Sequence, residues 1–137
     1  MKYVLWLVFA LLSDAQVAQA LDCPDAKSAE EATDQLHSWQ NVYQFFKSYR
    51  NCYDGSVAEG AEDKIQLLWA DHWSTLPEMI ALTNEDRAFN KFIWQRIRDE
   101  DFPRDKFERV VRHARVECPT GAAKFCRAVL TEAAKVK

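Results

Sequence analysis

Residues 56–76 read SVAEGAEDKIQLLWADHWSTL, and this stretch decides the fold class. Ser56 and Glu59 have the spacing of a capping box, in which a hydroxyl and a carboxylate bond the free amide groups at a helix start. The residues that follow at steps of three and four lie on one helical face. They are Ala61, Ile65, Leu68, Trp69, His72, Trp73 and Leu76. We therefore predict a long amphipathic helix, entered through a turn at Asp54-Gly55.

The segment upstream repeats this pattern. Ser28 and Glu31 have the spacing of another capping box, and an apolar stripe follows it. The stripe contains Ala32, Leu36, Trp39, Tyr43 and Phe46. A first helix is therefore predicted to begin near Ser28.

Prolines and turn residues divide the rest of the chain. Pro77 has no N–H and cannot continue the hydrogen bonds of the central helix, so we expect a short separate turn over residues 78–82. Further helix starts are predicted at Thr83 with Asp86, at Pro103 and near residues 119–121. No segment alternates apolar and polar residues as a half-buried strand does. The predicted fold class is all-α, a compact bundle of about five helices.

The first twenty residues have the features of a cleavable secretory signal. Lys2 precedes an apolar run over residues 3–12, and Ala18-Gln19-Ala20 forms a small-residue cleavage site. The run is about ten residues long, whereas a membrane span needs roughly twenty. We expect residues 1–20 to be removed and residues 21–137 to form a single α-helical domain. That domain is predicted to be periplasmic or secreted, with no stable membrane insertion after cleavage.

Four cysteines, Cys23, Cys52, Cys118 and Cys126, predict one or two disulfides in an oxidising compartment. A helix unbroken from Ser28 to Tyr49 would be about 32 Å long, too long for Cys23 to reach Cys52. Either the first helix starts late, near Asp34, or these two cysteines are not both bonded within this set. Three pairings are open on the sequence, and we favour Cys23–Cys52 with Cys118–Cys126.

Metal ligands and cofactors are not predicted. The chain has neither a C-x-x-C motif nor a closely spaced pair of histidines, so the cysteines do not have the usual spacing of zinc ligands.

The formal net charge of −3 conceals two halves of opposite sign. Residues 21–86 carry 13 acidic and 4 basic side chains, and residues 87–137 carry 7 acidic and 13 basic ones. The candidate interface residues are Arg104, Arg109, Arg112, Arg115, Trp73 and Trp94. The basic residues among them lie in the segment over residues 104–115. This segment either binds an acidic partner or pairs with the acidic half of the same bundle. Nucleic acid is not expected as a partner, because the net charge is negative.

Catalytic residues are not assigned. Asp54, Glu59, Glu62 and Asp63 form an acidic group that is interpreted chiefly as helix capping and helix-dipole compensation. His72 follows Asp71, but adjacent helical residues point about 100° apart. A histidine at the edge of the core is therefore the favoured interpretation of His72.

Four segments form a pattern: Cys52-Tyr-Asp-Gly-Ser-Val-Ala-Glu-Gly60, Leu67-Leu68 with Trp73 and Leu76-Pro77, Cys118-Pro119, and Cys126-Arg127. Together they resemble a group of small exported proteins of Gram-negative bacteria. A looser similarity, in architecture alone, links the chain to periplasmic immunity proteins. These resemblances imply an exported helical protein and transfer no functional residue.

Three functions are open on the sequence. The first is a non-enzymatic periplasmic interaction protein, such as an immunity protein or inhibitor that binds another envelope or incoming protein. The second is a helical carrier of a small hydrophobic ligand or lipid. The third is a small hydrolase that uses Asp54, Glu59 or His72.

Overall fold

The structure, a computed structural model, describes residues 23–135, so the predicted signal peptide over residues 1–20 lies outside the described residues. Within that range the chain is all-α, as predicted, with seven α-helices instead of about five. The helices are α1 (Ala26–Thr33), α2 (Trp39–Tyr49), α3 (Gly55–Asp71), α4 (Leu76–Glu85), α5 (Arg87–Ile97), α6 (Arg104–Val116) and α7 (Ala123–Lys135). Two 3₁₀ turns cover Arg50–Cys52 and Trp73–Thr75.

Two features account for the additional helices. The predicted first helix is interrupted after Thr33, and α2 begins anew behind Ser38, whose hydroxyl accepts a hydrogen bond from the Asn41 amide at 3.1 Å. The turn expected over residues 78–82 is instead part of the ten-residue helix α4. Pro77 lies in the first turn of that helix, where a missing N–H leaves no intrahelical bond unmade.

Both predicted capping boxes are wrong. The α1 cap is Asp25, whose carboxylate accepts from the Ser28 amide at 2.9 Å. The α3 cap is Asp54, which accepts from the Gly55 amide at 2.8 Å. Gly55 has a φ of +50°, a conformation that glycine adopts without a side-chain penalty. An aspartate upstream therefore replaces the predicted serine at each helix start.

The later helix starts are close to the predicted positions. Thr83 lies inside α4, and the cap of α5 is Asp86, so the predicted start at Thr83 is wrong by one turn. Pro103 directly precedes α6, and α7 begins at Ala123. Gly121, which has a φ of +85°, lies between the turn at Cys118 and the start of α7.

Aromatic side chains fill the core between α2, α3 and α7. Trp69 lies between Trp39 and Phe125, with ring centroids 5.7 Å apart in each pair. Each buried indole N–H has an acceptor, as a buried donor requires. Trp39 donates to the Thr75 hydroxyl at 3.0 Å, and Trp69 donates to the Met79 sulfur at 3.2 Å.

Two disulfides join Cys23 to Cys52 and Cys118 to Cys126, which is the favoured pairing. The break at residues 34–38 resolves the geometric conflict of a single long helix. Because α1 folds back against α2 and α3, the Cα atoms of Cys23 and Cys52 come within 4.7 Å. The late start of the second helix is thus what allows this bond.

Candidate binding surfaces

The basic residues of α6 divide into two rows. The inner row, Lys106 and Arg109, faces α3: Lys106 bonds the Asp63 carboxylate, and Arg109 bonds Asp71 at 3.0 Å. Arg109 also contacts Asp105 on its own helix at 3.1 Å. For these two residues, the acidic half of the bundle is the partner of the basic half.

His113 continues the inner row toward the end of α6. Its ring stacks on Trp73, with centroids 5.5 Å apart and planes inclined by 14°. Its Nε2 lies 3.1 Å from the Ala70 carbonyl oxygen, and its Nδ1 lies 3.3 Å from a Glu117 carboxylate oxygen. Sequence reasoning singled out His72 and favoured a place at the edge of the core, which is wrong, because His72 is exposed at the end of α3. For His113 the sequence indicated only a position on a predicted helix.

The outer row, Arg112 and Arg115, is exposed to solvent. Within residues 23–135, neither side chain has a carboxylate oxygen within 4.0 Å. Val116 beside them is 67% exposed, which is exceptional for a large aliphatic side chain in this structure.

Arg127, exposed on α7, follows one end of the second disulfide. The Cys118–Cys126 disulfide holds its two Cα atoms 6.2 Å apart. Arg127 follows Cys126, so its Cα lies within about 10 Å of the Cys118 Cα. We call the exposed residues Arg112, Arg115 and Val116 at the end of α6 the terminal basic patch.

The other predicted interface residues are placed differently. Arg104 is exposed and pairs with Glu108 at 2.9 Å. Trp73 is 5% exposed and donates to the Glu117 carbonyl oxygen at 2.9 Å, so its predicted role as a surface anchor is wrong. Trp94 is half-buried against Phe125, at 5.7 Å between centroids, with the Lys124 ammonium 6.0 Å from its ring.

The predicted acidic group is dispersed. Asp54 caps α3, Asp63 pairs with Lys106, and Glu59 is exposed. His72 follows the last turn of the same 17-residue helix, which is about 25 Å long at 1.5 Å per residue. Asp54 and His72 therefore lie at opposite ends of α3 and do not meet in one cleft.

Glu62, the fourth acid, lies in a partly buried charged cluster. Its carboxylate accepts from the Tyr53 hydroxyl at 3.2 Å and lies 3.6 Å from the Arg96 Nε. Burial raises the pKa of Glu62, and the nearby Asp99 charge raises it further, while Arg96 opposes the shift. Burial also raises the pKa of Tyr53, which keeps its phenol neutral. This cluster joins α3 to α5.

A groove of about 450 Å³ lies between the end of α2 and the outer side of α5. Its walls include three cations and three aromatic rings, contributed by Phe46, Arg50, Tyr53, Lys91, Phe92 and Arg96. We call it the α2–α5 groove.

A second cleft, of about 590 Å³, lies beside the loop between α5 and α6. Ile97, Phe102 and Phe107 supply its apolar part, and six charged side chains surround them. It is half-open to solvent, unlike the enclosed cavity that a carrier of hydrophobic ligands requires.

In the range that the structure describes, no group of three or more His, Cys, Asp or Glu side chains is arranged to hold a metal ion. None of the helices in that range is long and apolar enough to cross a membrane.

No family model, curated protein or solved structure matches the chain. Its function is therefore inferred from the geometry of the described residues.

Proposed function

We propose that the chain is a non-enzymatic exported protein that binds an acidic surface of another protein through the terminal basic patch. The observation that carries this proposal is the division of α6. The inner-row cations have acidic partners on α3, whereas Arg112 and Arg115 have none within 4.0 Å in the described chain.

The composition of the patch favours a protein partner. Arginine is enriched in protein interfaces because its planar group forms paired hydrogen bonds with carboxylates while its stem packs on apolar surface. Val116, at 67% exposure, supplies apolar area beside these charges. An acidic partner with an apolar contact would complement both features.

The scaffold beneath the patch also suits binding. The Cys118–Cys126 disulfide closes the turn between α6 and α7, and the Trp73 indole bonds the Glu117 carbonyl oxygen in that turn. A surface that is already ordered loses less conformational entropy when it binds. These constraints hold the end of α6 in one arrangement before a partner arrives.

The compartment narrows the class of partner. Two disulfides are typical of proteins in oxidising compartments, and residues 1–20 have the pattern of a secretory signal. A periplasmic or secreted protein of this kind would meet envelope proteins or incoming proteins. We infer a role as an immunity protein or an inhibitor.

The proposal is tested by affinity capture from an envelope extract with the oxidised chain over residues 21–137. The test variant is Arg112→Gln/Arg115→Gln, and the matched control is Lys27→Gln/Lys47→Gln, which removes two exposed charges elsewhere. We expect the captured partner to be acidic, to elute with rising salt, and to bind the test variant at least tenfold more weakly. The control should bind it normally.

Two results would overturn the proposal. One is equal retention of every captured protein by the test variant and the control. The other is the recovery of bound lipid with no protein partner at any salt concentration, which would favour the carrier.

A further inference from the structure

The α2–α5 groove lies on a surface that the terminal basic patch does not include. Its inner wall comes from Phe46, Arg50 and Tyr53, at the end of α2 and in the turn after it. Its outer wall comes from Lys91 and Phe92 on one turn of α5 and from Arg96 on the next turn. The groove has a volume of about 450 Å³ and is more open to solvent than the cleft beside the loop between α5 and α6.

The charges of the groove are all of one sign. Arg50, Lys91 and Arg96 line it, and no carboxylate does. Among the described residues, Arg50 and Lys91 have no carboxylate oxygen within 4.0 Å, and Arg96 has only Glu62, at 3.6 Å from its Nε. Asp86 lies near enough to Arg50 for the positive charge to help lower the pKa of that carboxyl, after its stronger backbone hydrogen bond from Phe89. Glu62, Asp86 and Asp99, which lies near Glu62, are thus behind the walls, while no carboxylate lines the groove itself.

Aromatic rings hold two of the cations in place. The Arg96 guanidinium carbon lies 4.6 Å from the Tyr53 ring centroid and 4.9 Å from that of Phe92. The Arg50 guanidinium carbon lies 5.7 Å from the Phe46 ring centroid. Cation–π contacts at such distances are favourable. They restrict the arginine side chains before any ligand binds, which lowers the entropic cost of binding.

The walls themselves are also constrained. Phe46 and Phe92 contact each other across the two helices, with centroids 5.1 Å apart. The Cys23–Cys52 disulfide fixes the chain next to Tyr53. The groove is therefore a formed site with cationic walls and an aromatic lining.

We propose that the α2–α5 groove binds a ligand with one anionic head group on an apolar body. A carboxylate or phosphate would pair with Lys91 and the two guanidinium groups, which are suited to planar or multidentate oxyanions. The apolar body would lie against Tyr53, Ala88 and the edges of Phe46 and Phe92, which are 5% and 7% exposed. A free aromatic acid and the C-terminal residue of a peptide share this chemistry.

Binding is tested on the oxidised chain by titration followed in amide proton–nitrogen NMR spectra. The probes are N-acetylphenylalanine, 3-phenylpropanoate, phenyl phosphate and the uncharged N-acetylphenylalanine amide. We expect saturable shifts, centred on residues 50–53 and 88–96, with the three anions. The amide should bind at least tenfold more weakly, because it lacks the charge that the cations recognise.

The probes separate the two sources of ligand. Tighter binding of N-acetylphenylalanine than of 3-phenylpropanoate would identify a peptide terminus, since only the former carries an amide bond. Tighter binding of 3-phenylpropanoate or phenyl phosphate would identify a free small acid. Either result supports an anionic apolar ligand.

Variants then locate the site. Lys91→Gln and Arg50→Gln should each weaken N-acetylphenylalanine binding several-fold, and the double variant at least tenfold. Lys27→Gln, an exposed lysine on α1, is the matched control and should leave the affinity unchanged. The spectrum of each free variant verifies that it is folded.

Equal affinity for acid and amide would overturn the proposal, as would unchanged binding by the double variant or the absence of saturable shifts in the groove. Such a failure would leave the terminal basic patch untouched, because the capture experiment uses different residues.

Discussion

Asp86 shows how much one side chain can contribute at a helix junction. Its carboxylate accepts from the Ala88 and Phe89 amides at 2.8 and 3.0 Å, at the start of α5. It also accepts from the Tyr43 hydroxyl at 3.1 Å, which ties α2 to the same point. The backbone bond from Phe89 is the main reason why the pKa of Asp86 is lowered.

Replacing Asp86 with alanine should lower the free energy of unfolding by about 1–2 kcal/mol at pH 7, because a cap and a tertiary bond are lost. A lowered pKa in the folded state means that the carboxylate stabilises the fold above its usual pKa of 3.8. That contribution disappears as the pH falls through the lower folded value. The difference between wild type and Asp86→Ala, measured by urea denaturation, should therefore narrow below about pH 3.8.

Two controls accompany this measurement. Asp86→Asn keeps an oxygen that can cap the helix and should retain most of the stability. Glu85→Ala removes the neighbouring exposed acid and should change the free energy by less than about 0.5 kcal/mol. An equal loss for Glu85→Ala and Asp86→Ala would show that capping is not the cause.

The same chemistry explains which helix starts were predictable. The presence of a capping residue was predictable, because Ser, Thr and Asp all accept hydrogen bonds from free amides at a helix start. The position of the cap was not predictable, because Asp25 lies three residues before Ser28 and Asp54 lies two residues before Ser56. At each start the upstream aspartate is the observed cap. Local spacing alone does not choose between two adjacent caps.

At the scale of elements, α1 and α3 approach each other closely at Gly60. A Cβ added to Gly60 would lie 2.8 Å from the Thr33 Oγ1 and 3.2 Å from its Cβ. Thr33 is itself held, because its hydroxyl donates to the Glu30 carbonyl oxygen at 2.7 Å. The absence of a side chain at residue 60 therefore sets the distance between these helices.

Gly60→Ala should consequently destabilise the fold, although alanine is the better helix former. We expect a net loss of up to about 2 kcal/mol, since overpacking costs about 1–3 kcal/mol and the better helix propensity of alanine offsets about 1 kcal/mol of it. In a Thr33→Ala background, Gly60→Ala should lower the free energy of unfolding by a clearly smaller amount. Thermal unfolding of the four members of this cycle measures the coupling, and equal losses in both backgrounds would contradict a Gly60–Thr33 contact.

The sequence predicted these elements better than their ends. Stripes such as Ile65, Leu68 and Trp69 identify α3 because burial requires one apolar face. The break before α2 was raised only as an alternative, and the stripe from Ala32 to Phe46 continues across it. The candidate site was also predicted only in part. The sequence shows the basic segment, but its division into two rows depends on which face of α6 packs against α3.

For the whole molecule, the two disulfides should contribute unequally. They connect residues 29 and 8 positions apart. The chain-entropy relation gives about 3.6 kcal/mol for the longer loop and about 2.5 kcal/mol for the shorter one. Cys23→Ala/Cys52→Ala should therefore reduce the free energy of unfolding more than Cys118→Ala/Cys126→Ala does.

Urea denaturation of both double variants under non-reducing conditions measures this difference. A larger loss for the Cys118–Cys126 variant would contradict the loop-length account. It would indicate that the Cys118–Cys126 bond between α6 and α7 contributes more to the free energy of unfolding than the Cys23–Cys52 bond that attaches the segment before α1.

The charge distribution is the other property of the whole molecule. The acidic and basic halves of the chain meet where α3 packs on α6, so part of their attraction is satisfied inside the molecule. The outer row of α6 lies beyond that contact. We propose that the inner row stabilises the fold and that the outer row is free for a partner.

The most direct measurement compares Lys106→Gln/Arg109→Gln with Arg112→Gln/Arg115→Gln in urea denaturation at low and high salt. Each variant removes two positive charges from the same helix. We predict that the inner-row variant loses about 1 kcal/mol, less in 1 M salt, and that the outer-row variant changes by less than about 0.5 kcal/mol. Equal losses, or a larger loss for the outer row, would contradict the claim that Arg112 and Arg115 are free.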